Sequence, residues 1–115
     1  MFDIVKLTTD TLDDQSDAAA RIKFGTTITS EIESCHDRIS PYYHGFSILD
    51  LKELQEIKDA IVRLRHLLSL YLRAEAALQP HHAGFGNRFG GPIRSLAHSA
   101  ETMFGDLSKT VGVTF

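Results

Sequence analysis

The residues best suited to chemistry lie in one glycine-rich stretch, QPHHAGFGNRFGGP, which spans residues 79–92. His81 and His82 lie near its start, and Arg88 lies inside it. Arg94 follows two residues after its end. The four glycines would let backbone amides approach an anion, and guanidinium groups bind phosphate through two parallel hydrogen bonds. These four side chains therefore suggest a site for a nucleotide or another phosphorylated ligand, formed at an oligomer interface.

Two other interpretations of this stretch remain open. It lacks the Lys-Ser or Lys-Thr pair of a phosphate-binding P-loop, and no predicted strand precedes it as a dinucleotide-binding motif requires. It is longer than the roughly eight residues that suffice to join antiparallel helices. It also carries Phe85 and Phe89, which a flexible linker would lack. We therefore expect a loop that folds onto its own domain, contacts a partner or a sister subunit, or binds the ligand.

Metal and catalytic chemistry have little support in the rest of the sequence. The six histidines include no pair four residues apart, the usual spacing of two zinc ligands on one helix. Cys35 falls on the apolar face of a predicted helix, where a buried and inert thiol is commoner than a nucleophile. We therefore expect no metal, no cofactor and no enzymatic activity.

Length and charge restrict the class of protein further. The chain has 115 residues, of which 43% are hydrophobic and 23% charged, values typical of one globular domain over residues 1–115. Its net charge of −3 argues against a dedicated nucleic-acid binder. A single cysteine forms no internal disulfide, and the sequence shows neither a signal-peptide pattern nor an apolar run of about 18 residues. These features predict a small acidic cytoplasmic protein that does not enter a membrane.

The clearest predicted element is a long central helix from Ser47 to Gln79. Ser47 and Asp50 approximate a capping box, and Pro80 supplies the stop. Two series of apolar residues at helical spacing, interrupted by Glu75 alone, predict two packing partners. The first series is Leu54, Ile57, Ile61, Leu64, Leu68, Tyr71 and Leu78, and the second is Ala60, Leu67, Leu70, Ala74 and Ala77. At about 1.5 Å per residue the length of this helix exceeds the diameter of a compact globule of this size. This favours an elongated protein that forms a homo-oligomer.

Helices are also predicted on both sides of the central one. The first runs from Asp10 to Ile39 with a kink near Gly25, and the last begins at Pro92. The terminal segments FDIVKL and TVGVTF have the composition of strands and would form a minimal strand pair. The sequence thus predicts an all-α, elongated three-helix bundle, up-down-up, with a glycine-rich loop before its last helix.

Small size, absent catalytic motifs and two apolar helix faces favour a non-enzymatic helical interaction protein. It would act as an inhibitor, adaptor or regulator by occupying the surface of a partner protein, with binding of a small phosphorylated molecule as the alternative. Aromatic and arginine side chains dominate binding energy at interfaces, and a run of aspartates suits a basic groove. The candidate partner-binding residues are Tyr42, Tyr43, Phe85, Arg88 and Phe89, together with Asp13, Asp14 and Asp17.

Overall fold

The described part of the protein consists of four helices and short connections. The computed structural model describes residues 3–44 and 50–111. Its helices are α1 (Ile4–Asp13), α2 (Ala18–His44), α3 (Leu51–Leu78) and α4 (Ala83–Val111). No strand is found in the two described ranges, and the predicted all-α class is confirmed. The protein measures 49 × 28 × 20 Å, so its long axis accommodates the roughly 42 Å of α3.

The central helix α3 runs from Leu51 to Leu78, whereas the prediction was Ser47 to Gln79. Asp50 was predicted inside the first turn but has an extended backbone, so the predicted start is wrong. The cap of α3 is Asp50, whose carboxylate accepts a hydrogen bond from the amide of Glu53 at 2.8 Å. The predicted cap Ser47 lies outside the described residues. α3 packs against both α2 and α4. Every residue of the two predicted apolar series except Ala77 is buried or half-buried, so the two series serve two packing partners.

The first predicted helix is in fact two helices. α1 ends at Asp13 and α2 begins at Ala18. Asp17 marks the break, because its carboxylate accepts a hydrogen bond from the amide of Ala20 at 3.1 Å and so caps α2. α2 is then one continuous helix through Gly25, the residue at which we predicted a kink. Asp13 thus ends α1, and Asp14 and Asp17 belong to the connection between the two helices.

The terminal segments predicted as strands are helical where the structure describes them. Residues 4–7 open α1, and residues 110–111 belong to α4, whereas residues 112–115 lie outside the described ranges. The apolar side chains of the first segment serve an amphipathic helix, since Ile4 is buried against the core. Thr8 is also buried, and its hydroxyl is satisfied there because it donates a hydrogen bond to the Ile4 carbonyl at 2.7 Å. The predicted strand pair is therefore wrong over the described residues.

The glycine-rich stretch is helical, which corrects the loop prediction. α4 begins at Ala83 and contains all four glycines of the stretch as well as Pro92, so only residues 79–82 join α3 to α4. In a helix interior glycine costs about 1 kcal/mol and proline about 3 kcal/mol relative to alanine. Burial of the apolar face of α4 opposes this cost, since each buried large apolar side chain contributes about 1.5–3 kcal/mol. That face includes Phe85, Phe89, Ile93, Met103, Phe104 and Leu107. Tertiary packing has outweighed local propensity here.

The three long helices pack against one another, and α1 lies on α2 and α3. Side-chain hydrogen bonds between α2 and α4 join His36 to Ser99 and Tyr43 to Asp106, so these two helices run in the same direction. α3 runs in the opposite direction, because only four residues separate its end from the start of α4. The hydrophobic core lies along the axis between the three.

Candidate functional site

The two phenylalanines of the glycine-rich stretch belong to a buried aromatic cluster. Phe85 stacks on Phe24 of α2 and Tyr71 of α3, with ring centroids 6.0 and 5.7 Å apart, and its centroid lies 5.2 Å from that of Phe89. Phe85 and Phe89 are each only 7% exposed. The prediction that both rings should be buried is met by the protein's own core. Neither ring is available as a surface anchor for a partner, which corrects that assignment.

Gly25 explains how closely α2 and α4 approach one another at this cluster. The Phe89 ring occupies the space that a side chain at residue 25 would need. A Cβ added there would lie 2.5 and 2.6 Å from two atoms of that ring and closer still to a third. The glycine that weakens the helix locally therefore serves the packing of two helices.

Glu75, the polar member of an otherwise apolar series, is the centre of a hydrogen-bond network. The Tyr71 hydroxyl donates to its Oε2 at 2.6 Å, and Arg94 donates to its two carboxylate oxygens at 3.1 and 2.5 Å. The bonds from Arg94, helped by that from Tyr71, hold the pKa of Glu75 below its usual value although burial opposes them. Gly90 leaves room for the network, since a Cβ there would lie 2.9 Å from the Oε2 of Glu75. Arg94 is thus engaged in joining α4 to α3.

A second pair of side chains joins the same two helices. Nε and Nη2 of Arg65 donate to the two carboxylate oxygens of Glu101 at 2.6 and 2.8 Å. The Arg65 guanidinium also lies 5.4 Å from the ring centroid of Phe104. Arg63 forms a looser ion pair with Glu31 of α2 at 3.6 Å. Two of the basic residues of α3 are therefore engaged within the protein.

The four predicted ligand-binding residues do not form one site. Arg88 and His82 line a shallow groove of about 240 Å³ at the end of the bundle where α2 begins. His81 is exposed and meets His82 edge-on, with ring centroids 6.5 Å apart. Arg94 lines a different groove, beside Glu75. Arg21 of α2 lines the same groove as Arg88 and His82. Sequence reasoning missed it because it lies 61 residues before His82.

The two tyrosines predicted to bind a partner lie at the C-terminal end of α2. The Tyr42 hydroxyl donates to Glu56 at 3.0 Å, and the Tyr43 hydroxyl donates to Asp106 at 3.1 Å. Each bond to a carboxylate raises the pKa of its phenol. Tyr43 is 39% exposed and Tyr42 is half-buried. The two hydroxyl groups thus join α2 to α3 and to α4, and both side chains keep part of their surface in solvent.

The three predicted aspartates lie at the opposite end of α2. Asp13 ends α1, Asp14 follows it, and Asp17 caps α2, and all three are exposed. α2 has 27 residues, so about 40 Å separates these carboxylates from the tyrosines. The predicted partner-binding residues are therefore divided between two ends of the bundle and do not form one patch.

One surface that sequence reasoning missed is a line of exposed residues along α3, here called the outer stripe. It consists of Lys58, Val62, Arg65, Ser69, Leu72 and Ala76, all exposed. The alternating steps of four and three residues place them on one side of the helix and match the spacing of a coiled-coil seam. Val62 is 55% exposed and Leu72 is 40% exposed. His66 and Arg73 lie beside the stripe and are also exposed.

The remaining candidates for chemistry were the Cys35 thiol and a metal site. Cys35 is 2% exposed, and burial raises the pKa of its thiol. Among residues 3–44 and 50–111 no group of three His, Cys, Asp or Glu side chains is placed to hold a metal ion. No helix in the described part of the chain is long and apolar enough to cross a membrane.

Comparison of the chain with models of protein families, with curated proteins and with solved structures gives no match. The function is therefore inferred from the surfaces and side chains described above.

Proposed function

We propose that the protein is a helical interaction protein that binds a partner protein through the outer stripe of α3 and acts as an inhibitor, adaptor or regulator by occupying that partner. The observation that carries the proposal is the exposure of Val62 and Leu72 on a stripe with coiled-coil spacing. Both apolar series of α3 already face α2 and α4. Val62 and Leu72 belong to neither series, and they keep 55% and 40% of their surface in solvent.

The basic residues around the stripe favour an acidic partner. Residues 60–74 contain Arg63, Arg65, His66 and Arg73 but no Asp or Glu. Arg63 and Arg65 are engaged by Glu31 and Glu101, whereas the described residues offer His66 and Arg73 no carboxylate within ion-pair distance. An apolar stripe with basic flanks is complementary to an amphipathic helix whose own flanks are acidic. We therefore assign the stripe to a partner that presents such a helix.

Dimensions agree with one bound helix. The stripe runs from Lys58 to Ala76, which is about 27 Å or about five helical turns. A single helix covers less than the roughly 800 Å² per partner of a standard interface. The affinity must therefore be concentrated in Val62 and Leu72, which lie on either side of the middle of the stripe, while the basic residues set orientation and speed of encounter.

The proposal is tested with a labelled helical peptide that carries leucine on one face and glutamate on both flanks. We expect saturable binding to the wild-type protein, and binding about 30-fold weaker when Val62→Glu and Leu72→Glu are combined. The matched control adds the same charge to the exposed side of α4, as Ser95→Glu with Thr102→Glu, and should bind like the wild type. All four positions are exposed, so each variant should keep its helical content.

Three results would overturn parts of the proposal. Equal affinity of the stripe variant and the α4 control would show that the stripe is not the binding surface. Equal binding of a peptide with lysine in place of glutamate would refute the acidic partner. Self-association of the wild-type chain in sedimentation, lost in the stripe variant, would show that a second copy of the chain covers the stripe instead.

A further inference from the structure

The groove at the start of α2 gathers positive charge in a protein whose net charge is −3. Arg21, His82 and Arg88 come from α2, the α3–α4 connection and α4, and all three line it. The remaining lining residues are Ala18, Ile22, Gly84, Phe85 and Phe89, so no carboxylate lines the groove. Asp17, one turn before Arg21, has its carboxylate engaged in capping α2.

We propose that this groove binds a small organic phosphate, with Arg21 and Arg88 on the phosphate and the apolar part of the ligand against Ile22 and the phenylalanine edges. The proposal concerns a site separate from the outer stripe and does not depend on the partner-binding function.

Both guanidinium groups have hydrogen-bond donors left for an anion. Arg88 lies over the Phe89 ring with its central carbon 5.2 Å from the centroid, an arrangement that leaves the N–H groups in the guanidinium plane free. Arg21 uses one nitrogen to donate to the Gln15 carbonyl. Within the described residues neither arginine has a carboxylate partner. Both arginines line the groove, and planar guanidinium groups bind phosphate oxygens through paired hydrogen bonds.

The charges in the groove also repel one another. The pKa of His82 is lowered, first by burial and then by the positive charges of Arg21 and His81. A like-charge cluster that no lining carboxylate neutralises gains free energy when an anion enters. Arg21 and Arg88 therefore favour the bound phosphate before any specific hydrogen bond is counted.

The rest of the groove is apolar and defines the size of the ligand. Ile22 is 44% exposed, and Phe85 and Phe89 each expose 7% of their surface, beside the two arginines. The volume of about 240 Å³ is below the range of about 300–1,000 Å³ that encloses a drug-sized ligand. A phosphate monoester of one small ring fits these limits, and a dinucleotide does not.

Phenyl phosphate is the probe for the test, followed by amide chemical shifts of the folded protein. We expect saturable shifts at His82, Gly84 and Arg88, with a dissociation constant on the order of 1 mM or lower. Inorganic phosphate should bind several-fold more weakly because it lacks the ring, and phenol should give no saturable shift because it lacks the anion.

Arg21→Gln and Arg88→Gln should each weaken phenyl phosphate about tenfold or more, since each removes charge-assisted hydrogen bonds. Arg73→Gln is the matched control, because it removes the same charge from an exposed site on α3 outside the groove. All three variants are at positions outside the core and should keep the wild-type melting temperature. Absence of saturable shifts at about 10 mM probe would overturn the proposal. If Arg73→Gln weakened phenyl phosphate binding as much as the groove variants do, net charge, and not the groove, would be what attracts the anion.

Discussion

Replacement of Gly25 by alanine tests how closely α2 and α4 pack. The new Cβ would lie 2.5 Å from Cδ2 and 2.6 Å from Cζ of the Phe89 ring. Real Cβ atoms essentially never approach another heavy atom within 3.0 Å, so the ring or a helix must move. Phe89 is 7% exposed and in contact with Phe85, so a shift of the ring disturbs the aromatic cluster.

Two opposing free energies set the magnitude. Alanine is favoured over glycine in a helix interior by about 0.5–1 kcal/mol. Inserting atoms into a packed core costs about 1–3 kcal/mol. With a central value of about 2 kcal/mol for overpacking, Gly25→Ala should destabilise the protein by about 1 kcal/mol. Helix propensity alone predicts the opposite sign.

Gly105 in α4 provides the matched control, because a Cβ there meets nothing within 4 Å. Gly105→Ala should therefore stabilise the protein by about 0.5–1 kcal/mol. Urea denaturation followed by circular dichroism measures both changes. Combining Gly25→Ala with Phe89→Leu gives a double-mutant cycle, in which the smaller side chain should remove most of the overpacking cost. If Gly25→Ala stabilises the protein as much as Gly105→Ala does, the two helices do not pack as described.

Three further predictions follow from single groups. Glu75→Gln should lower the free energy of unfolding at pH 7. Arg94 holds the pKa of Glu75 below its ordinary value of 4.5. The stability advantage of the wild type is therefore present above about pH 4.5 and should vanish as pH falls through the lowered pKa. Urea denaturation at pH 7 and pH 3 measures this difference, and a constant gap would contradict it. Cys35 should react with a maleimide at pH 7 only as fast as the protein unfolds, and labelling of the folded protein at the rate of a free thiol would contradict its burial. Asp50→Ala should cost about 1 kcal/mol in urea denaturation and Asp50→Asn clearly less, because Asn can still accept the amide hydrogen bond of Glu53; equal costs would contradict the cap.

The central helix could be predicted because its sequence signals agree with its packing. The residues of its two apolar series recur at helical spacing, and that recurrence reflects burial on two sides. Pro80 follows its end, and Asp50 precedes its start with a side chain that accepts a hydrogen bond from the amide of Glu53. Where local propensity, capping and burial favour the same structure, the sequence alone is sufficient.

The glycine-rich stretch was predicted as a loop because local propensity and burial disagree there. Glycines and Pro92 disfavour a helix, and that signal is read directly from the residue types. The opposing signal is also present in the sequence: Phe85, Phe89, Ile93 and Ala97 follow at steps of four, and all are buried. Gly91 removes a further obstacle, since it has no Cβ to clash with the Pro92 ring.

The groove could not be predicted, because its composition depends on which segments the fold brings together. Arg21 and Arg88 are 67 residues apart in the chain. They line one groove only because α2 and α4 run in the same direction and begin at the same end of the bundle. Arg94, which sequence proximity grouped with Arg88, turns instead toward Glu75. Sequence reasoning grouped two arginines that the fold places in different grooves.

The geometry of α3 connects these results to function. The two buried series of α3 serve its packing against α2 and α4, and α1 also contacts this helix. Val62 and Leu72 belong to neither series and remain partly exposed, which leaves apolar surface for a partner. Arg88 lies on α4 and is not part of the stripe, and its loss should leave binding to the stripe unchanged. Peptide binding by Arg88→Gln and phenyl phosphate binding by Val62→Glu with Leu72→Glu therefore test whether the two surfaces act independently.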